Sequence, residues 1–254
     1  MLKSRVIPVM LWTELGLVKG RQFDHGRKVG SVLPAIRVYN ARDVDELVLV
    51  DVSASVNSCT PRFDEVSRYA KECNVPLAVG GGIRSEQDFE SVLRAGADKV
   101  VVNTSAFADP DLVSRASRRF GTQCVVSSID FRVIDDQAWC FSHAGTVRQE
   151  VEVVEWAKRM EEMGAGEILL TNCDNDGMMA GYDIETIALV TSAVNIPVIA
   201  SGGAGNAAHC AAAIREANAD AVAVGSLFHF TETTPRAIKE YLHAHGVPVR
   251  LGSI

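Results

Sequence analysis

No stretch of the sequence approaches the roughly 20 apolar residues that a membrane-spanning helix requires. The opening Met-Leu-Lys-Ser-Arg-Val-Ile-Pro-Val-Met-Leu turns polar too early for a secretory leader, so a cytoplasmic location is expected. Positive charge is also in short supply. Lys and Arg number 25 against 32 Asp and Glu, giving a net charge of -7 and a pI near 5.4. Without a broad positive field, nucleic-acid backbones and membrane surfaces are excluded as general partners. A small phosphorylated ligand needs only local donors and stays open. The six cysteines (Cys59, Cys73, Cys124, Cys140, Cys173, Cys210) contain no Cys-x-x-Cys. The six histidines, His25, His143, His209, His229, His243 and His245, show no ligand spacing. Neither a metal centre, a disulfide framework nor another cofactor is expected. No linker, low-complexity segment or composition break appears, so residues 1–254 read as one domain.

What the sequence does have is a recurring short apolar run that ends in a small, polar or glycine residue. These runs are Arg5–Leu11, Leu47–Asp51, Leu77–Gly81, Lys99–Asn103, Cys124–Asp130, Glu167–Thr171, Val198–Ser201 and Ala221–Gly225. Continuous Val/Ile/Leu runs of this length belong to strands buried on both faces, as in a parallel sheet. Between them lie stretches with helical spacing, such as Phe89, Val92 and Leu93 before Gly96, and Val153, Ala157 and Met160 before Gly164. Eight strands alternating with helices in 254 residues give the count of a (β/α)8 TIM barrel. The chain also repeats. Glu46–Asp51 is echoed by Glu167–Asn172, Gly80-Gly81-Gly82 by Ser201-Gly202-Gly203, and Ala97–Ser105 by Ala219–Leu227, at offsets of 121 to 122 residues. The barrel is therefore expected to consist of two similar halves.

In such barrels binding and catalytic groups gather where strands finish. Gly81 and Gly82 with Asn103 and Thr104 form one candidate phosphate site, and Ser201, Gly202 and Gly203 with Gly225 and Ser226 form the other. Glycines let the backbone approach an anion, hydroxyls add donors, and following helix N-termini add a favourable dipole. One site per half suggests a ligand with phosphates at both ends. Asp130 is a candidate general acid or base, with Lys19, Asp51, Thr171 and Asp176 as candidate substrate contacts; for any single acid, loop capping is the alternative. Asn172–Gly177 resembles a calcium loop but lacks the later bidentate glutamate. At the opposite strand ends, Arg5, Glu46, Lys99 and Glu167 can close a ring of salt bridges across the floor, with stability the competing explanation. Cys173 has no histidine placed to activate it.

The runs Arg5-Val-Ile-Pro8, Gly16-Leu-Val-Lys-Gly20, Val79-Gly-Gly-Gly-Ile83, Gly164-Ala-Gly-Glu-Ile-Leu-Leu-Thr171, Gly181-Tyr-Asp183, Ile199–Gly205 and Gly246-Val-Pro-Val-Arg250 resemble the HisF-type cyclase subunit of imidazole glycerol phosphate synthase. The likeness spans the chain from end to end. It implies a HisH-type glutaminase partner in a heterodimer, whose ammonia enters through the floor and meets a bisphosphorylated substrate at the top. It further implies that Arg5, Glu46, Lys99 and Glu167 are the ammonia gate, that Asp98 lies near the glutaminase interface, and that Asp130 is the catalytic acid/base.

The resemblance breaks at two places. The family's second catalytic aspartate belongs at the end of the first strand, where this chain has Leu11. Its arginine-aspartate-x-glycine-aspartate-proline run appears here as Arg27-Lys28-Val29-Gly30-Ser31-Val32. A retained floor under an altered top resembles the paralogues that supply ammonia for turning an acetamido sugar into an acetamidino one in surface-polysaccharide synthesis. That reading implies a sugar amidotransferase as a further partner, and it is the leading expectation. The alternatives are a true cyclase of histidine biosynthesis and a scaffold that only activates its glutaminase. Glu14, on the first loop, is a weak candidate to replace the absent carboxylate.

Overall fold

A computed structural model of the chain describes residues 3–24, 26–57 and 59–252; His25 lies outside them. Eight parallel strands form a closed barrel: β1 (Arg5–Thr13), β2 (Leu47–Asp51), β3 (Leu77–Gly80), β4 (Lys99–Val102), β5 (Val125–Ile134), β6 (Glu167–Asn172), β7 (Val198–Ser201) and β8 (Ala221–Val224). Each is hydrogen-bonded to the strand before and after it, and β8 returns to β1 with Arg5 opposite Ala221. The helices α1 (Val32–Ala41), α2 (Phe63–Ala70), α3 (Glu86–Arg94), α4 (Asp111–Phe120), α5 (Val153–Glu162), α6 (Ile184–Ala193), α7 (Ala207–Arg215) and α8 (Pro235–Ala244) follow the strands one by one. This is the (β/α)8 barrel that the strand count implied.

Both faces of every stave are buried, which is why the sequence shows runs instead of alternation. Ile7, Val48, Ala78, Val101, Val126, Leu169, Ile199, Ala221 and Ala223 fill the lumen. Their neighbours, such as Val6, Leu49, Val100 and Ile168, face the helical jacket and join the larger core. The helices carry their own start signals: at α3 the Ser85 hydroxyl accepts from Asp88 N while the Asp88 carboxylate accepts from Ser85 N.

The structure departs from the sequence reading at β1 and β5. Both run past their expected ends and continue as antiparallel extensions. Gly16–Lys19 and Arg27–Gly30 extend β1, while Gln137–Ser142 and Val147–Glu152 extend β5. Arg27–Gly30 and Val147–Glu152 are polar and have no fully buried residue, while Gly16–Lys19 and Gln137–Ser142, though partly buried, carry only short apolar stretches, so none stood out as a strand. They sit at the same place in each half, so the duplication reaches into the loops.

The last helix locks the barrel's lower rim. Lys239, fully buried, donates from Nζ to Asp43 O at 2.6 Å and to Asp45 Oδ1 at 2.9 Å, and Asp45 Oδ2 accepts from Val6 N at 3.0 Å. One buried ammonium thus joins α8 to the entrances of β1 and β2. Removing the ammonium would leave the buried Asp45 side chain with only the exposed Arg250 guanidinium, at 3.2 Å, as its cation among the described residues. A Lys239→Met chain is expected to lose about 3 kcal/mol of unfolding free energy in urea. A loss under about 0.5 kcal/mol, the range of ordinary surface changes, would show that the clamp contributes nothing.

Candidate active site at the barrel mouth

The parallel staves all finish on one side, around a cavity of about 700 Å³. Asp130, Lys19, Asp51, Thr171, Asp176, Gly81, Gly82, Asn103, Thr104, Ser201, Gly202, Gly203, Gly225 and Ser226 all line it. Residues spread from position 19 to 226 are therefore gathered at one mouth. Leu11 lines it too, from the end of the barrel portion of β1. Glu14 does not: it lines a separate outer cavity with Trp12 and Arg62, so in this arrangement it does not place a carboxylate at the mouth.

Asp130 is not the terminal residue of its strand, because β5 continues to Ile134. It stands where β5 leaves the barrel wall, opposite Thr171 on β6. Its Oδ2 accepts from Asn103 Nδ2 at 2.9 Å and its Oδ1 from Ser128 Oγ at 3.3 Å. Burial pushes the carboxyl up from its ordinary 3.8; the Ser128 hydrogen bond opposes this and the Asp176 charge adds to it, leaving it at about 7. Desolvation disfavours the charged form of an acid. A carboxyl poised there can give or take a proton at neutral pH.

The remaining acids are more committed. Asp176 accepts from Lys19 Nζ at 2.9 and 3.1 Å, which ties the β1 extension to the segment after β6. Asp174 pairs with Arg132. With cations on both, Asn172–Gly177 is an ion-paired loop. Asp51 Oδ1 accepts from Ser53 N and Ser53 Oγ, and Oδ2 faces Arg62 Nε at 3.3 Å. It lines the mouth, yet its side chain is largely spent on capping the next turn. Thr104 Oγ1 likewise accepts from His143 N.

The glycine loops occupy equivalent places in the two halves. A side chain on Gly81 would overlap the Asp51 carbonyl oxygen, and one on Gly202 the Asn172 carbonyl oxygen; both glycines have positive φ, +102° and +85°. Only glycine fits. Asn103 Oδ1, Ser105 Oγ and Ser226 Oγ, all beside these loops, are buried with no hydrogen-bond partner among the described residues. Such groups carry a free-energy penalty that a bound acceptor or donor relieves.

Two groups of residues went unnoticed in the sequence. Ser128 reaches Asp130 from two positions upstream, on the same face of a strand already legible in the sequence, so the period-two spacing was the signal that could have found it. Phe23 and His143, from the β1 and β5 extensions, also line the cavity, and a side chain on Gly145 would meet the Phe23 ring. The two extensions therefore meet over the mouth. Cys173 is buried, and burial above all raises its thiol far beyond neutrality, so it is no nucleophile. His229 is held below its ordinary value by burial and by Lys19, so it is neutral at neutral pH.

At the other end of the lumen, Arg5 Nη1 lies 2.7 Å from Glu46 Oε2 and 2.9 Å from Glu167 Oε1. Lys99 Nζ lies 2.9 Å from Glu46 Oε2 and 2.8 Å from Glu167 Oε2. The four charges form a closed, neutral ring beneath the apolar lumen. Asp98 is exposed next to it, and its carboxylate also accepts from Leu77 N at 2.8 Å, bracing the start of β3.

The family model described as histidine biosynthesis protein matches residues 5–234. The imidazole glycerol phosphate synthase subunit HisF of Chlorobium limicola is 44% identical over 251 residues, covering 99% of this chain and 100% of the relative. The subunits of the same name from Chlorobium phaeovibrioides and Chlorobaculum tepidum show the same identity and coverage.

The raised Asp130 carboxyl makes folding pH-dependent. Below 3.8 the carboxyl is neutral in both the folded and the unfolded chain. Between 3.8 and about 7 only the folded chain keeps the proton, so stability falls as pH rises through this window and then levels off. Asp130→Asn is expected to match the parent near pH 4 and to be more stable by a few kcal/mol at pH 8, measured by urea unfolding at both values. Equal stability at pH 8 would show that the carboxyl is not perturbed.

Proposed function

Because the chain belongs to the family of HisF-type imidazole glycerol phosphate synthase subunits, we propose that it uses ammonia, supplied by a HisH-type glutaminase subunit, on a phosphorylated acceptor at the barrel mouth. One observation carries this reading: a neutral salt-bridge ring and an acid poised near neutrality stand at opposite ends of one apolar lumen. Ammonia is small and uncharged, so an apolar passage carries it where ammonium would face a steep desolvation cost. The ring of Arg5, Glu46, Lys99 and Glu167 acts as the gate, because each cation bridges both acids and a shift of either cation opens the floor. Exposed Asp98 beside it belongs to the glutaminase-facing surface.

At the mouth, the loops of Gly81, Gly82, Asn103 and Thr104, and of Ser201, Gly202, Gly203, Gly225 and Ser226, hold the two phosphate ends. Lys19, Asp51, Thr171 and Asp176 contact what lies between them, and Asp130 moves the proton. The acceptor follows the name of the relatives. It is the phosphoribulosyl aminoimidazole-carboxamide nucleotide, converted to imidazole glycerol phosphate with release of the carboxamide nucleotide, a step of histidine biosynthesis.

A second reading rests on Leu11. Half-barrel symmetry places it opposite Asp130, where an acid–base pair would need a carboxylate, and a leucine cannot carry a proton. On that ground the same ammonia serves a different acceptor, the acetamido group of a sugar in surface-polysaccharide synthesis, handed on to a sugar amidotransferase.

Purified chain with saturating ammonium salt and the phosphoribulosyl aminoimidazole-carboxamide nucleotide separates the two. The first reading expects measurable cyclisation, reduced about 10²- to 10⁴-fold in Asp130→Asn. The second expects almost none from the parent and a gain in Leu11→Asp. Full turnover by Asp130→Asn would remove the acid/base role, whereas no cyclisation by the parent or by Leu11→Asp, with the glutaminase still activated, would leave only the scaffold.

A further inference from the structure

The half-barrel repeat carries a device on the outer side of each glycine loop, built from different chemistry in the two halves. In the first half, Asp51 at the end of β2 pairs through Oδ2 with Arg62 Nε at 3.3 Å, and Arg62 is the residue that precedes α2. The guanidinium reaches Ser53 Oγ at 3.4 Å and packs 5.1 Å above the Trp12 ring. In the second half, Asn172 ends β6 and donates from Nδ2 to Asp183 Oδ2 at 3.1 Å, and Asp183 precedes and caps α6. Position 172 follows position 51 by 121 residues, and 183 follows 62 by the same number. Gly202 follows Gly81 by 121 residues as well, and each glycine packs against the backbone carbonyl of the braced residue, Asp51 or Asn172.

We infer that Arg62–Asp51 and Asp183–Asn172 are equivalent positioning braces, each fixing the wall against which one glycine loop of the mouth is pressed. Neither Arg62 nor Asp183 lines the cavity, so both act through residues 51 and 172. The first brace is an ion pair whose carboxylate is buried and whose guanidinium is one-third exposed. The second is a neutral amide on a capping carboxylate. Exchanging an acid for an amide on the strand, and a cation for an acid before the helix, keeps a polar contact at the same place in both halves, an ion pair in the first and a hydrogen bond in the second. Because each glycine loop leans on its own brace, the two loops are supported independently. This inference rests on the phosphate-binding reading of those loops.

The test uses the full chain and inorganic phosphate, with the backbone amide signals of Gly82 and Gly203 followed separately by nitrogen-15 NMR. The parent is expected to shift both signals. Arg62→Gln keeps a polar side chain but loses the charge. It is expected to weaken the response at Gly82 about ten-fold, as misplaced donors do, with the response at Gly203 unchanged. Asp183→Ala is expected to show the opposite pattern. Arg62→Met guards against an accidental substitute contact from the glutamine, and thermal melts identify any variant that has simply lost its fold. Equal phosphate affinity at Gly82 in the parent and in both Arg62 variants overturns the brace while leaving the phosphate reading intact. Loss at both glycines in a folded variant overturns the independence of the two braces. A parent that shifts neither signal removes the phosphate reading, and the braces fall with it.

Discussion

Closure of the pleated sheet fixes everything else in this molecule. Once eight strands pair in a ring, side chains along each one alternate between a sealed lumen and the helical jacket. On β1 this sends Arg5, Ile7, Val9 and Leu11 inward and Val6, Met10 and Trp12 outward. The same parity on β5 sends Val126, Ser128 and Asp130 inward. A shift of one residue in register would bury the floor charges in the jacket and move the acid away from the mouth. The chemistry of both ends therefore depends on register, and register depends on apolar side chains that touch no ligand.

The two ends treat charge in contrasting ways. At the floor, two cations and two carboxylates neutralise one another in a closed cycle, so each pays part of the other's desolvation. At the mouth, Asp130 has hydrogen-bond donors but no cation within bonding distance among the described residues, and burial raises its carboxyl to about 7. Asp176, by contrast, is engaged by the Lys19 ammonium at 2.9 and 3.1 Å. Two carboxylates at one mouth thus differ through their neighbours, which is how an active site separates an acid from a fixed charge.

Duplication explains much of the architecture and also where the halves have parted. Extensions follow β1 and β5, glycine loops follow β3 and β7, and braces follow β2 and β6. What differs is the chemistry at matching points: leucine at 11 against aspartate at 130, and an ion pair against an amide–carboxylate bond in the braces. The backbone kept its symmetry because close-packed interiors tolerate few changes of shape, whereas side chains on the rim were free to specialise.

The sequence by itself determined the staves, their order and the rim residues, because buried parallel strands write continuous apolar runs and the polar and glycine residues of the rim follow them directly. It gave the floor charges as well, since each marks the start of a run. Tertiary structure decided the rest. The antiparallel extensions are either polar or carry only short apolar stretches, so no long run announced them, and with them stayed hidden Phe23 and His143 over the mouth. Whether Asp51 was free or engaged depended on Arg62, eleven residues away across a turn. Glu14 was near Leu11 along the chain, yet the turn carried it to the outer surface. The upward shift of the Asp130 carboxyl depended on burial that only the packed barrel supplies. Periodicity reports which face of an element is buried; only the packed fold brings distant groups within bonding range and sets how much water they keep.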